Sequence, residues 1–178
     1  MRFTPLPVHG AYLIDLEHRT DERGFFARFF CKKEFAQHGL EASFAQANDS
    51  YSKEKGTLRG MHYQLGSAAE AKLVRCIRGS LYDVVADICP SSPTYGKWHG
   101  ALLTEQNRQM LYVPRTCAHG FLTIEPETEV LYLVSHPYDK DQERGFRWND
   151  PHFNIAWPHS PSLVSERDRS HPDFIQHI

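Results

Sequence analysis

Short apolar runs rich in aromatic and β-branched residues recur along the chain. Clusters of Gly, Pro, Asn and Asp separate them about every ten residues, which is typical of an antiparallel all-β barrel or sandwich. Helices should be few: CKKEFAQHG at 31–39 predicts a short helix ended by Gly39, and SERD at 165–168 has the pattern of a helix start. The predicted strands cover residues 58–64, 73–78, 81–88, 98–104, 109–113, 119–124 and 129–135.

The clearest predicted hairpin is LVRCIRGSLYDVVADI, in which the Gly-Ser pair at 79–80 fits a two-residue turn. Alternation in its second strand places Asp83 and Asp87 on the same face as Leu81 and Val85. Two carboxylates therefore share a face with apolar residues.

His62 is one of eleven histidines and stands in LRGMHYQ (58–64). If this segment alternates as a strand, His62 shares a face with Leu58, Gly60 and Gln64, while Arg59 faces the other way. A strand histidine is more often a surface or satisfied core residue than a functional group. The residues that surround His62 in space therefore decide whether it does chemistry.

Three residues on other predicted strands have the chemistry to act with His62. Lys72 begins the next strand, Asp83 lies on a strand that we pair with it, and Tyr132 alternates with apolar residues in EVLYLVS (129–135). In a small barrel, inward positions of neighbouring strands converge on one cavity, where a base, a cation and a phenol would meet. Each residue also has a purely structural interpretation: Lys72 as a solvated strand end, Tyr132 as core, and Asp83 as a turn or edge residue.

Composition limits the class of protein. The 178 residues suffice for one domain (1–178) with its own core. Twenty Lys and Arg against 22 Asp and Glu give a formal charge of −2, so we do not expect nucleic acid as a partner. The four cysteines form no Cys-x-x-Cys pair, the N-terminus lacks a signal-peptide pattern, and no apolar run approaches the ~20 residues of a membrane span. We expect a cytoplasmic protein with free thiols and no membrane contact.

Other reaction classes find little support in the motifs. Cupin-type metal sites often use His-x-His, but Gln64 stands two residues after His62, and only His119 in PRTCAHGF offers a second imidazole. No Gly-x-Ser-x-Gly is present, and Cys117 fits a buried thiol better than a nucleophile. Neither a Gly-x-Gly-x-x-Gly motif nor a P-loop occurs, so a nicotinamide or ATP enzyme is not expected.

Eight segments together resemble, in order and spacing, the dTDP-4-dehydrorhamnose 3,5-epimerase family. The resemblance implies a cupin-type double-stranded β-helix (jelly roll) with a few short helices, and a homodimer whose N-terminal strands help to complete the partner's sheet. It also implies an active site with no metal and no cofactor. The segments cover nearly the whole chain: DERGFFARFF (21–30), NDSYSKEKGTLRGMHYQ (48–64), AKLVRCIRGSLYDVVADI (71–88), SPTYGKW (92–98), YVPRTCAHGF (112–121), TEVLYLVSHPY (128–138), ERGFRWNDP (143–151) and IAWP (155–158).

The family's substrate is a nucleotide-linked 4-keto-6-deoxy sugar, whose ketone acidifies the protons at C3 and C5. The resemblance implies that His62 accepts such a proton, with Asp168 orienting it and Asp83 as a second candidate for that support. Lys72 would stabilise the enolate oxygen, and Tyr132 would donate a proton to the opposite face of the ring. Two faces are required, because one group alone can only return the proton that it took.

The resemblance also implies a substrate-binding set. Arg23 and Arg59 would contact the diphosphate, as the planar guanidinium suits phosphate oxygens. Many family members carry a glutamate where this chain has Arg28, a charge reversal near the expected nucleotide that leaves thymine, guanine and cytosine open as the base. If dimerisation brings the N-terminal segment into the neighbour's site, part of the set acts across the interface. The other members would surround the nucleotide and the sugar: Gln46, Asn48, His119, Tyr138, Glu143 and Arg167.

Several functions stay open at this level. The sequence does not decide between inversion at C3 alone and inversion at both C3 and C5, because the same acid and base serve both outcomes and positioning decides between them. Inversion at both carbons is our first choice. A cupin-like protein that binds a sugar nucleotide without turnover would keep Arg23 and Arg59 but would not use His62. A metal-dependent cupin oxygenase or isomerase is the third alternative.

Overall fold

Short strands dominate the computed structural model, which describes residues 1–175. The prediction of an all-β chain with few helices is confirmed. The helices are α1 (Lys32–Gln37), α2 (Glu166–Arg169) and a 3-10 turn at Gly66–Ala68, so none of the described helices has the length of a membrane span. The strands are β1 (Arg2–Pro5), β2 (Tyr12–Asp15), β3 (Arg19–Asp21), β4 (Gly24–Phe26), β5 (Gln46–Ser52), β6 (Thr57–Gln64), β7 (Lys72–Arg78), β8 (Ser80–Asp87), β9 (Trp98–Thr104), β10 (Met110–Val113), β11 (Cys117–Thr123), β12 (Thr128–Val134), β13 (Glu143–Gly145) and β14 (Leu163–Val164).

The strands form two facing sheets. The first sheet has the order β1-β2-β10-β7-β12-β5, and the second has β13-β6-β11-β8-β9, with β14 added in parallel beside β6. All other strand pairs within the two sheets are antiparallel. Because neighbours in each sheet are mostly distant in sequence, the chain passes repeatedly from one sheet to the other, as in a jelly roll. β3 and β4 form a separate, exposed hairpin.

The predicted hairpin at 73–88 is wrong. β7 pairs with β10 and β12 in the first sheet, whereas β8 pairs with β9 and β11 in the second. The chain therefore crosses between sheets at residues 79–80. Gly79 has a φ of 71°, and a Cβ there would lie 2.7 Å from the Thr128 hydroxyl oxygen, so this corner requires glycine. Asp83 consequently lies in the sheet opposite β7, not beside it.

The space between the sheets is filled by side chains from alternate strand positions. Val74 and Val130 of the first sheet pack in one cluster with Leu81 and Val85 of the second sheet. This agrees with the predicted alternation of β8. Full burial of each such side chain contributes roughly 1.5–3 kcal/mol, so an apolar core holds the sheets together at one end.

The outer face of each sheet is also covered. α1 places Phe35 against Leu73 and Met110 of the first sheet, and Gly39, with a φ of 69°, follows the helix as predicted. Phe146 and Phe153 of the C-terminal segment cover the second sheet. The same C-terminal segment continues into α2, which contacts β6. The covering layer therefore brings a polar helix to the strand that carries the motif LRGMHYQ.

Candidate active site

A cavity of about 540 Å³ opens between the two sheets. Val74, Phe121 and Val130 give it an apolar floor that continues the core. A second chamber of about 280 Å³ adjoins it. All but three of the predicted site residues line one or both chambers: His62, Lys72, Tyr132, Asp168, Arg59, His119, Tyr138, Glu143 and Arg167 line the larger, and Gln46 and Asn48 the smaller.

His62 forms a short hydrogen bond with Asp168, with 2.7 Å between Nε2 and Oδ1. Asp168 is buried, and its other oxygen accepts from the backbone N–H of Gly60 at 3.3 Å. Ser165 is the N-cap of α2, and its hydroxyl accepts from the Asp168 N–H at 3.0 Å. The cap thus fixes α2 so that the Asp168 carboxylate points at the imidazole rather than capping the helix itself.

The ionisation of Asp168 decides which imidazole nitrogen carries the hydrogen. Burial by itself would raise the pKa of Asp168, but the hydrogen bond and charge of His62 and the N–H of Gly60 hold that pKa below its ordinary value. An ionised carboxylate can only accept, so Nε2 of His62 donates. The neutral imidazole therefore has its lone pair on Nδ1, which is free to receive a proton.

His119 and Asp83 form a second histidine–aspartate pair, also with 2.7 Å between Nε2 and Oδ1. Asp83 was the second candidate for supporting His62, and this assignment needs correction. Asp83 lies on β8 and His62 on β6, and β11, which carries His119, lies between these two strands. The Asp83 carboxylate therefore bonds to His119 and not to His62. Asp83 is fully buried, and its Oδ2 has no hydrogen-bond partner within residues 1–175.

Lys72 lies at the start of β7 and is buried, so the interpretation as a solvated strand end is wrong. Its Nζ is 3.3 Å from Glu70 Oε1, and both side chains are only 11% exposed. The other oxygen of Glu70 accepts from Gln64 Nε2 at 3.1 Å. A buried ammonium is costly without a counter-charge, and Glu70 provides one at the edge of the cavity.

Tyr132 lies on β12 of the first sheet, and His62 lies on β6 of the second sheet. Each of the two side chains lines the larger and the smaller chamber. The two rings therefore approach the cavity from opposite sheets. Burial raises the pKa of Tyr132, and the charge of Glu70 adds to this, while Arg59 opposes it only in part. The phenol consequently keeps its proton at neutral pH, as a proton donor must.

Arg59 reaches the same cavity as His62, although strict alternation placed the two on opposite faces. The strand is irregular at Gly60, which has a φ of 124°, and the pairing of β6 with β11 shifts register beside it. A Cβ on Gly60 would lie 2.5 Å from the Gly120 Cα, so the two strands can approach only with glycine here. Arg59 Nε then donates to Ser52 Oγ at 3.3 Å.

A chain of polar contacts forms the rim. Arg167 makes an ion pair with Glu143, whose Oε2 accepts from the Tyr138 hydroxyl at 2.7 Å. The Tyr138 backbone N–H donates to Gln46 Oε1 at 2.8 Å. Tyr138 itself is 56% exposed, so its ring is available at the cavity mouth. The rim joins elements from both sheets and α2.

Arg23 and Arg28 do not line the cavity of their own chain. Arg23 lies in the turn between β3 and β4, where its guanidinium binds Asp21 and its side chain is 84% exposed. Arg28 pairs with Glu34 at 3.3 Å, near the N-terminus. These two arginines therefore lie on or beside the exposed hairpin, apart from the other predicted substrate-binding residues, which line the cavity.

Sequence analysis missed Glu70 and His171. The His171 side chain is 15% exposed, and Nε2 lies 3.9 Å from Asp168 Oδ1. Burial lowers the pKa of His171, and the nearby His62 lowers it further. His62, Asp168 and His171 offer metal-ligating atoms within 4.8 Å of one another, a group found among residues 1–175. The available signal was the position of His171 three residues after Asp168, just beyond the end of α2.

The family model described as dTDP-4-dehydrorhamnose 3,5-epimerase matches residues 5–176. The dTDP-4-dehydrorhamnose 3,5-epimerase of Sinorhizobium fredii is 41% identical over 177 residues, which are 99% of this chain and 91% of that protein. A dTDP-4-dehydrorhamnose 3-epimerase of Streptomyces niveus is 39% identical over 170 residues, with 95% of this chain and 82% of that protein covered.

The crystal structure of dTDP-4-dehydrorhamnose 3,5-epimerase from Elizabethkingia anophelis superposes with a TM-score of 0.94. The two chains are 36% identical, and the match covers 98% of this chain and 96% of that one. Together with the two facing antiparallel sheets, this confirms the cupin-type jelly roll. It also confirms the resemblance on which the predicted site was based.

Proposed function

Because the chain belongs to the dTDP-4-dehydrorhamnose 3,5-epimerase family, we propose that it inverts carbon centres of a nucleotide-linked 4-keto-6-deoxy sugar, at C3 and C5. The chain is an enzyme of the isomerase class, an epimerase. The reaction serves the biosynthesis of a deoxysugar of the rhamnose type. It uses side chains alone, with no cofactor and no metal.

One observation carries the proposal: a proton acceptor and a proton donor line one cavity from opposite sheets. His62 lies on β6 and Tyr132 on β12, on either side of a space of about 540 Å³. A space of this size suits a small ligand such as a hexose. A sugar ring between the two sheets presents one face to the imidazole and the other to the phenol, which is what inversion requires.

Removal of the proton is the role of His62. Its Nδ1 accepts the proton from C3 or C5, and the imidazolium that forms is stabilised by the Asp168 carboxylate at 2.7 Å. The same carboxylate holds the ring in the tautomer that has a free lone pair on Nδ1. The electrons of the broken C–H bond move onto the C4 oxygen and give an enolate.

Lys72 stabilises that enolate, since its ammonium lines the cavity and Glu70 fixes its position. Tyr132 then donates its hydroxyl proton to the carbon on the opposite face. After one inversion His62 has gained a proton and Tyr132 has lost one. Exchange with water restores both groups before the next carbon reacts.

Substrate binding falls to the cations and polar groups of the cavity and its rim. Arg59 and Arg167 suit the diphosphate, and Tyr138 suits the nucleotide base or the sugar because its ring is exposed at the mouth. Gln46, Asn48, His119 and Glu143 complete the set. dTDP is the first choice of nucleotide, as in the names of the relatives.

A homodimer would bring the exposed hairpin to a second cavity. Phe25 and Phe26 on β4 are 46% and 64% exposed, and Arg23 stands beside them. Exposed aromatic rings next to a cation are typical of a surface that packs on a partner subunit. In the proposed dimer, this hairpin places Arg23 and the nearby Arg28 beside the nucleotide bound by the partner subunit. We place the homodimer in the cytoplasm, where free thiols such as Cys76 and Cys117 stay reduced.

The test is proton exchange in deuterated water. The purified protein is incubated with 4-keto-6-deoxy sugars linked to dTDP, GDP or CDP, and NMR locates the deuterium and the configuration of each carbon. We expect inversion with deuterium at C3 and C5 of the dTDP sugar. No incorporation with any of the three nucleotides would reject the enzyme and favour a protein that only binds the sugar nucleotide.

A C3-specific epimerase is the second candidate, because the relative from Streptomyces niveus is named a 3-epimerase. Deuterium at C3 with none at C5 would identify it. A metal-dependent reaction is tested in the same assay after treatment with EDTA. Full exchange after chelation is expected, and its loss would contradict a mechanism that uses side chains alone.

A further inference from the structure

His171 has a buried ring nitrogen that nothing in the proposed reaction uses. Its Nε2 makes no hydrogen bond to any group of residues 1–175. The same atom lies 3.9 Å from Asp168 Oδ1, and the ring is in edge-on contact with that of His62, with 5.6 Å between the centroids. Buried polar atoms of proteins nearly always have partners, so a bare nitrogen facing a carboxylate and a second imidazole requires an explanation.

Packing holds His171 in this position. A Cβ on Gly145 would lie 2.5 Å from His171 Nε2, so β13 approaches the ring as closely as a glycine permits. The following residue is tied to the same strand region, because the backbone N–H of Arg147 donates to the Pro172 carbonyl at 3.1 Å. These contacts keep the ring beside the His62–Asp168 pair, while its Nε2, which makes no hydrogen bond within residues 1–175, can turn toward Asp168.

We propose that His62, Asp168 and His171 form a binding site for a zinc ion. Two imidazoles and one carboxylate, with a fourth position open to solvent or ligand, are a common zinc donor set. Here the cavity lies beside His62 and Asp168 and provides the open position. Calcium and magnesium do not fit, because they prefer six or more oxygen ligands.

The distances are close to those that zinc needs. The ligand atoms lie within 4.8 Å of one another, and the shortest separation is the 2.7 Å hydrogen bond. Zinc bonds of about 2.0–2.2 Å place tetrahedral ligands roughly 3.4 Å apart, so the site closes with shifts on the order of 1 Å. Rotation of the His171 ring toward Asp168 is the main adjustment, and it costs no existing hydrogen bond of Nε2.

Zinc at this site inhibits epimerisation, a consequence that rests on the proposed function. Binding to Nε2 of His62 displaces the hydrogen that Nε2 donates to Asp168. That hydrogen moves to Nδ1, so the ring stays neutral but has no lone pair left to accept a proton from the sugar. The metal also takes the Asp168 oxygen that orients the ring. Metal binding and proton abstraction therefore exclude each other.

Binding is tested first, without any assay of activity. The EDTA-treated protein is titrated with Zn²⁺ by calorimetry and with Co²⁺, whose visible absorption reports tetrahedral coordination. We expect one saturable site per chain and a tetrahedral Co²⁺ spectrum. His171→Gln should weaken zinc binding at least about tenfold, since even the loss of an outer-shell partner costs that much.

The matched control is His159→Gln, because His159 also has a buried Nε2 without a partner in the described chain but is not part of the cluster. It should bind zinc like the parent. His171→Asn serves as a second variant if His171→Gln does not fold. No saturable binding by the parent, or equal affinities for the parent and the folded His171 variant, would overturn the site.

Inhibition is tested second, by deuterium exchange with and without Zn²⁺. The parent should lose exchange at zinc concentrations that saturate the site and regain it with EDTA. Measured against its own zinc-free rate, His171→Gln should need at least about tenfold more zinc for the same fractional loss. Saturated protein that exchanges at the full rate would refute the inhibition. If the protein showed no exchange at all, the proposed function would fail while calorimetry still decided the site.

Discussion

Two histidine–aspartate pairs each bring an imidazole to the cavity, with the same hydrogen-bond distance and different surroundings. Each has 2.7 Å between Nε2 and Oδ1. The His62 side chain is 27% exposed and its aspartate comes from a capped helix, whereas the His119 side chain is 10% exposed and its aspartate lies within a core strand. Both carboxylate oxygens of Asp168 accept hydrogen bonds, but only one of Asp83 has a partner among residues 1–175.

The difference shows that the distance within such a pair does not identify a catalytic base. A base needs a free nitrogen in contact with the substrate and a carboxylate whose charge is satisfied, so that it supports the imidazolium without attracting other partners. His62 lines the cavity and both oxygens of Asp168 accept hydrogen bonds, so this pair has the arrangement that the proposed mechanism needs. The His119 pair is better suited to hold one ring rigidly at the cavity wall, since the imidazole itself is nearly buried and its aspartate lies within a core strand.

Substitution of the histidines should give the largest contrast. His62→Asn removes the proton acceptor, and we expect deuterium exchange to fall about 10³-fold, within the usual range for a general base. His119→Asn should cost only about tenfold, the equivalent of one lost hydrogen bond. Exchange rates at saturating substrate measure both, and equal losses would remove the distinction between the pairs.

The aspartates should follow the same order with smaller effects. Asp168→Asn removes the charge that orients His62 and stabilises the imidazolium, so kcat should fall about 10²-fold or more. Asp83→Asn can still accept from His119, so it should change kcat no more than about tenfold. Melting temperatures of the two variants serve as the control for folding. A larger loss of kcat in Asp83→Asn would assign the catalytic role to the other pair.

Glu70→Gln leaves both histidine–aspartate pairs intact and tests the proposed stabilisation of the enolate by Lys72. The amide keeps the size of Glu70 but cannot hold the Lys72 ammonium by charge, so we expect kcat to fall about tenfold. KM should change little, because Lys72 acts on charge that develops after binding. A rise in KM with unchanged kcat would mean that Lys72 binds the substrate without stabilising the enolate.

The smallest expected effect is the pH limit of inversion. The raised pKa of Tyr132 keeps the phenol protonated beyond the ordinary value of 10.0. The ratio of inverted to exchanged product should therefore stay constant from neutral pH up to that value and fall only above it. NMR of the products across this range measures the ratio. A fall that begins near neutral pH would point to a different donor.

The strand pattern predicted the all-β class and the strands β6 to β12, and the resemblance predicted the jelly roll and the polar residues that face the cavity from both sheets and α2. The hairpin at 73–88 was predicted wrongly because a Gly-Ser turn looks the same in sequence whether the chain stays in one sheet or crosses to the other. Arg59 was placed on the wrong face because alternation fails at Gly60, where β11 approaches. The pairing of Asp83 with His119 depends on strand order, which no local pattern contains.

The most direct measurement of the two-sided mechanism is the stereochemistry of deuterium exchange in Tyr132→Phe. This variant keeps His62, Asp168 and Lys72 but has no proton donor on the opposite sheet. We predict that deuterium enters the sugar at a measurable rate while the labelled carbon keeps its original configuration. Inversion at the parent rate by Tyr132→Phe would contradict the claim that the two rings act on opposite faces.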